Sequence, residues 1–201
     1  MADARAESLS RYVALRSDHI VAQAFWVTTF ALLTAIGAQV EIPHYPVPYT
    51  LQTFFVLLAG GLLGKRNGFL SMVTYLTMGV AGLPVFSGFS FGLARLLGPS
   101  GGYLLSFPLA AYLIGLLISM RPDAIRTVDG RIKQFFADYG WALASMFAGL
   151  VLIFFLGTLQ LNAVYFHNWN TSFGAGFLIF SWWDVLKLAA AAAIWKELSR
   201  S

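Results

Sequence analysis

Cysteine is absent from the 201 residues. That excludes disulfides, thiol nucleophiles and cysteine-ligated metals together. Charge is scarce: Asp, Glu, Lys and Arg make up 11% of the chain, against about 25% in a typical soluble domain. Hydrophobic residues make up 58%, and the mean hydropathy is +0.71. A chain this short cannot hide so much apolar surface from water, so lipid must be its main solvent. The longest polar stretches, Met1–His19 and Arg121–Tyr139, are too short for a soluble domain. Nucleotide-binding patterns of the GxGxxG and P-loop types are missing, which predicts no ATP site in the chain. His44 and His167 have no carboxylate at ligand spacing and read as loop or interface histidines, with no metal expected. The formal charge of +4 does not indicate nucleic acid, because the basic residues flank apolar runs and do not cluster with aromatics. A cleavable signal peptide is not expected: the first nineteen residues are polar and mixed in charge.

What is present is a series of six apolar runs: Ile20–Val40, Tyr49–Gly64, Gly68–Leu83, Gly102–Met120, Tyr139–Leu161 and Gly174–Trp195. They predict an all-α membrane protein with six transmembrane helices and extracytoplasmic loops. Residues 1–19 read as a cytoplasmic N-terminal segment and 20–201 as one membrane domain. The second and third runs are short and joined at Lys65-Arg66-Asn67-Gly68, which reads as a helical hairpin bordering a cavity. Between the first and second runs, Glu41–Tyr49 carries three prolines and cannot be a regular helix. Six spans place both termini on one side of the bilayer. All but two of the thirteen lysines and arginines fall on that side, which makes it cytoplasmic. The exceptions are Arg95 and Lys187; of the acids, only Glu41 and Asp184 lie away from that side.

These outliers mark the chemistry. Arg95 sits in Pro84–Tyr103, PVFSGFSFGLARLLGPSGGY, a loop rich in glycine and aromatics. Glycine admits close backbone approach, aromatics offer flat contact surface, and one guanidinium offers a fork for a carboxylate. The bland alternative is an arginine that snorkels to headgroups. Asp184 and Lys187 are three apart on a predicted span and share a face. Charges inside a span meet a cavity or each other. Ala31 and Ala35 form a small-xxx-small pair that permits close helix approach. Ser100 in GPSGG has no neighbouring histidine in sequence and does not read as a nucleophile.

Several motifs taken together carry a family resemblance. They are IPHYPVPYTLQ (Ile42–Gln52), the LLG turn (Leu62–Gly64), GVAGLPVF (Gly79–Phe86), GLARLLGPSGGYLLSF (Gly92–Phe107) and WWDVLK (Trp182–Lys187). In this order they resemble the BioY family, the biotin-binding S component of energy-coupling-factor vitamin transporters, over about Ile42 to Lys187. Ser100 stands where that family usually has threonine. The resemblance implies a six-helix protein of a prokaryotic inner membrane that captures biotin from outside, with the first loop and the loop after the third helix covering the ligand. It implies a membrane coupling subunit and two ATPases as partners, no cofactor, and Ala31 with Ala35 as the contact with the coupling subunit.

For a ligand with a ureido ring, a thiophane and a carboxylate, the residues suggest a division of labour. Arg95 is expected at the carboxylate and Asp184 with Lys187 at the ureido end, the two cations being interchangeable in the rival arrangement. Gln52 and Tyr103 are expected to add polar contacts, and Tyr49, Phe86, Phe89 and Phe91 to form the wall. The competing readings are an S component for thiamine or riboflavin, a membrane-embedded enzyme, and a purely structural subunit. An enzyme would need paired acid/base groups or a metal site, and the outer half holds one Asp, one Glu, two His, one Arg and one Lys without metal-ligand spacing.

Overall fold

The computed structural model describes residues 19–122, 131–178 and 182–198. Residues 1–18 of the expected N-terminal segment, and Arg126 with its neighbours, lie outside the described residues. Helix α1, Ile20–Gln39, is uncharged and spans about 30 Å at about 1.5 Å per residue. The proline-rich segment then breaks the helix, as expected, and forms a two-stranded ribbon instead. Strands β1 (Glu41–Ile42) and β2 (Tyr49–Thr50) pair antiparallel, Glu41 opposite Thr50 and Ile42 opposite Tyr49.

Helix α2, Gln52–Val80, is the expected hairpin. It reverses at Gly64, whose φ of 76° and ψ of −179° suit only glycine. The Lys65-Arg66-Asn67-Gly68 tetrad, read as the turn, instead opens the second arm. The arms, 52–63 and 65–80, lie close together: a Cβ on Gly68 would come within 2.9 Å of the Ala59 carbonyl oxygen. At about 18 and 24 Å they fall short of a bilayer's roughly 30 Å core. The chain beyond each arm on the outer side therefore closes over the fold and does not simply leave it.

A loop leads from α2 through a 3-10 turn, Ser87–Phe89, to the short helix α3, Leu93–Leu97. Helix α4, Gly101–Ser119, follows. Helix α5, Arg131–Leu161, starts well before the predicted Tyr139. The polar residues in its first turns had read as loop, yet Asp138 turns inward to Arg121 (2.5 Å) and Lys196. Two π-helical turns, Asn162–Phe166 and Phe173–Phe177, flank α6, Trp169–Ser172, before α7, Trp182–Leu198. The last predicted run is thus not one regular helix, since the Phe173-Gly174-Ala175-Gly176-Phe177 stretch winds as a wider turn. Among the described residues six helical passes result: α1, the two arms of α2, α4, α5 and α7. Among the described residues, α1, α4 and residues 136–166 are each long and apolar enough to cross a membrane alone.

The alanine pair on α1 faces toward the interior of the chain. Ala31 is 0% exposed, and Ala35 packs partly buried against the core. Their small size serves close packing inside this subunit, where α1 lies on α2: a Cβ on Gly37 would come within 2.7 Å of the Phe55 ring. The outward face of α1 carries Phe25, Leu32 and Ile36. Glycine also sets the approach of α4 to the hairpin tip, because a Cβ on Gly115 would fall on the Lys65 amide nitrogen. Replacing Gly115 with alanine should push backbone against backbone and cost about 1–3 kcal/mol. Thermal unfolding in detergent would register this as a lowered midpoint; an unchanged midpoint would mean that the tip moves freely.

Candidate functional site

Under the ribbon and the α2–α3 loop lies a cavity holding about 630 Å³ of space not filled by atoms, part of it open to solvent. Each structural element contributes for a reason visible in its sequence. The proline-rich bend at 45–47 leads through Pro48 into β2, and Val47 to Thr50 all line the cavity. The first turn of α2 supplies Gln52 and Thr53, and α4 supplies Tyr103, Leu104 and Phe107. Helix α5 adds Ile153 and Phe154, α3 adds Arg95, and α7 adds Asp184 and Lys187.

Asp184 and Lys187 form a buried ion pair, with Lys187 Nζ 2.7 Å from Asp184 Oδ1 and side-chain exposures of 5% for the lysine and 2% for the aspartate. The ammonium also donates to the Thr50 carbonyl at 3.1 Å and to Thr53 Oγ1 at 2.6 Å. An ammonium has three N–H donors, so Lys187 is fully engaged. It ties α7 to β2 and to the start of α2. Arg95 differs. It is half-buried in the cavity wall, and among the described residues its guanidinium has no hydrogen-bond or ion-pair partner. Tyr49, on the ribbon, is pushed above the usual phenol pKa by burial and then by the negative charge of Asp184. It therefore remains a neutral donor at the cavity mouth.

Seven of the nine predicted ligand residues line this cavity: Tyr49, Gln52, Phe86, Arg95, Tyr103, Asp184 and Lys187. Two of them offer less polarity than expected. The Tyr103 hydroxyl donates to the Gly176 carbonyl at 2.9 Å, which leaves the ring as its contribution to the wall. Gln52 accepts from Thr50 Oγ1 at 2.8 Å and donates to the Tyr75 hydroxyl, so it also braces the hairpin. Phe86 is fully buried, its ring seated where a Cβ on Gly79 would collide and 5.5 Å from the Tyr75 ring.

Phe89 and Phe91 stand outside the wall, 67% and 59% exposed. The left-handed pair Gly88 (φ 67°) and Phe89 (φ 54°) reverses the loop, and the Phe86 amide donates to the Ser90 carbonyl across the reversal. One aromatic therefore points in while the later ones point out. The sequence reading missed Thr53, Ser87, Leu104, Phe107, Ile153 and Phe154. Ser100, noted as the position where the family usually has threonine but not expected at the ligand, also lines the wall. The available signal was the GPSGG run, which brings the start of α4 up to the cavity.

Comparison with known proteins agrees with this architecture. Residues 7–201 match the BioY family. The biotin transporter BioY of Thermotoga maritima is 43% identical over 171 residues, covering 85% of this chain and 92% of its own. A probable biotin transporter BioY of Pyrococcus horikoshii is 40% identical, covering 86% and 93%. A 2.1 Å crystal structure of the S-component for biotin from an ECF-type ABC transporter superposes with a TM-score of 0.76 at 26% identity. That match covers 90% of this chain and 92% of the other.

The ion pair yields a stability prediction. Lys187→Met leaves the buried Asp184 charge without its lysine and should cost about 3–5 kcal/mol. Adding Asp184→Asn should recover much of that loss. Thermal unfolding of the single and double variants measures both; a double variant no more stable than the single would mean that the pair contributes chiefly through its ties to Thr50 and Thr53.

Proposed function

The chain belongs to the BioY family, and from that premise we propose how it does its work: it captures biotin and passes it across the membrane as the substrate-specific subunit of an energy-coupling-factor transporter. The observation that carries the binding arrangement is the contrast between the two cations of the cavity. Lys187 spends its three donors on Asp184, Thr50 and Thr53. Arg95 has five donors in a planar fork and no side-chain hydrogen bond among the described residues. The ligand carboxylate goes to Arg95, where a two-pronged, charge-assisted contact is available.

The ureido ring then lies toward α7. Asp184 accepts from its N–H groups, since a carboxylate has about four lone-pair sites, and Lys187 orients that carboxylate and balances its charge. Hydroxyls of Ser100, Thr53 and Tyr49 are within the same wall to meet the ureido oxygen. The thiophane and the valeryl chain fit the apolar side formed by Phe86, Leu104, Phe107 and Phe154.

The chain lacks a nucleotide-binding pattern, so the energy for uptake comes from partners. We assign these as a membrane coupling subunit and two ATPases. The excess of lysine and arginine on one side supports a multi-pass placement in a prokaryotic inner membrane, with both termini cytoplasmic.

The experiment is a binding comparison of biotin with its methyl ester. Wild type should prefer the free acid. Arg95→Ala should lose that preference by about tenfold to a hundredfold, the worth of a hydrogen bond to a charged group. Folded Lys187→Ala should keep it. An Arg95→Ala variant that still discriminates fully between acid and ester would sink the assignment.

A further inference from the structure

The two segments that roof the cavity are joined by side chains that line no part of it. Gln39, the last residue of α1, grips loop 84–92 with both ends of its amide. Its Nε2 donates to the Phe86 carbonyl at 3.1 Å, and its Oε1 accepts from the Phe89 amide at 3.0 Å. Beside it, the Ser87 hydroxyl donates to the Glu41 carboxylate. Glu41 stands in β1 opposite Thr50, whose carbonyl accepts from Lys187. Phe86, Ser87 and Thr50 are wall residues, whereas Gln39 and Glu41 are not. The other hydrogen bonds of loop 84–92 run within the loop, to α2 or to α3: Tyr75 Oη to Val85 O at 3.1 Å, Gly92 N to Gly79 O at 2.8 Å, Arg95 N to Gly92 O at 3.2 Å. Gln39 and Glu41 therefore supply the ties that hold the middle of this loop to the opposite roof segment.

We propose that Gln39 and Glu41 are positioning residues that latch loop 84–92 to the α1–β1 corner and thereby set how long bound ligand stays. This rests on biotin being the ligand. The latch touches the ligand only through the loop it holds. Opening it frees Ser87 and the turn at Gly88 to move from the wall, while the Phe86 ring stays packed on Tyr75 and Gly79, and Arg95 on α3 and the Asp184–Lys187 pair on α7 keep their places. A ligand leaving between the roof segments must part these hydrogen bonds, so the latch acts on dissociation and leaves the recognition of acid and ureido groups unchanged.

The test measures association and dissociation of biotin separately on the purified full chain. Gln39→Ala and Glu41→Ala should each speed dissociation by up to about tenfold, the rate equivalent of a net hydrogen bond or two. Their preference for free acid over methyl ester should match wild type. Glu41→Gln should dissociate close to wild type, because an amide oxygen still accepts from Ser87. Dissociation within about twofold of wild type in both alanine variants, where a lost hydrogen bond predicts more, overturns the latch. So does Glu41→Gln dissociating as fast as Glu41→Ala, which a hydrogen-bonded tie forbids. Should Gln39→Ala fail to fold, the Glu41→Ala and Glu41→Gln pair decides alone. Wild type without saturable biotin binding would instead defeat the functional reading itself.

Discussion

The Asp184–Lys187 pair is the constraint around which the outer half of the molecule is arranged. Two charges at 2% and 5% side-chain exposure lose their water, and their mutual attraction alone does not repay that loss. The remaining donors of Lys187 must find acceptors, and they find them on Thr50 and Thr53. Those residues belong to the ribbon and to the first turn of α2. Satisfying one buried ammonium therefore fixes where the first loop crosses the cavity and where the hairpin begins. The ribbon in turn places Glu41 within reach of Ser87. A single desolvated charge thus reaches, through hydrogen bonds, both segments of the roof.

The same helix carries a second buried ionic group at its other end, with a different outcome. Lys196 and Arg121 converge on Asp138, which also accepts from the Gln134 amide at 2.8 Å. That network joins the chain just after α4 to α5 and α7, and no wall residue of the cavity belongs to it. Trp195 adds a tie to the Gly61 carbonyl at 2.9 Å, and the Tyr139 hydroxyl a longer one to Ala189. Helix α7 is thus fastened at its head, middle and foot. What makes the upper group the candidate site is its neighbourhood: a space, an apolar wall, and a second cation that has no hydrogen-bond or ion-pair partner among the described residues.

Much of this was readable from residue types because the bilayer makes errors costly. Apolar runs gave the passes, and the rarity of charge off the cytoplasmic side singled out Arg95, Asp184 and Lys187. All three line one cavity although the last two follow the first by about ninety residues. What the residues could not give was direction. Phe86, Phe89 and Phe91 are alike by type, and only the left-handed turn at Gly88 and Phe89 decides which one faces in. Ala31 and Ala35 fit a partner face by pattern, yet the same smallness serves packing on α2, and spacing alone does not distinguish the two. Likewise Asp138 read as loop because its charge is satisfied by Lys196 on α7 and by Arg121, which are distant in sequence.

The distribution of ties also says where movement can occur. On the α7 side, the cavity is fixed by an ion pair and by an ammonium with every donor occupied. On the roof side, loop 84–92 sits between Gly82 and Gly92, both at positive φ, with Gly88 between them. Backbone of that kind can change course without steric penalty. Its middle is held across the cavity by neutral side-chain contacts and one carboxylate–hydroxyl bond, each modest beside the charge network opposite. Ligand entry by displacement of α7 would have to break Lys187 away from Thr50 and Thr53 at once. Entry under the roof has to part only the Gln39 and Glu41 contacts. The rigid half of the cavity is therefore suited to recognition, and the loop half to admission.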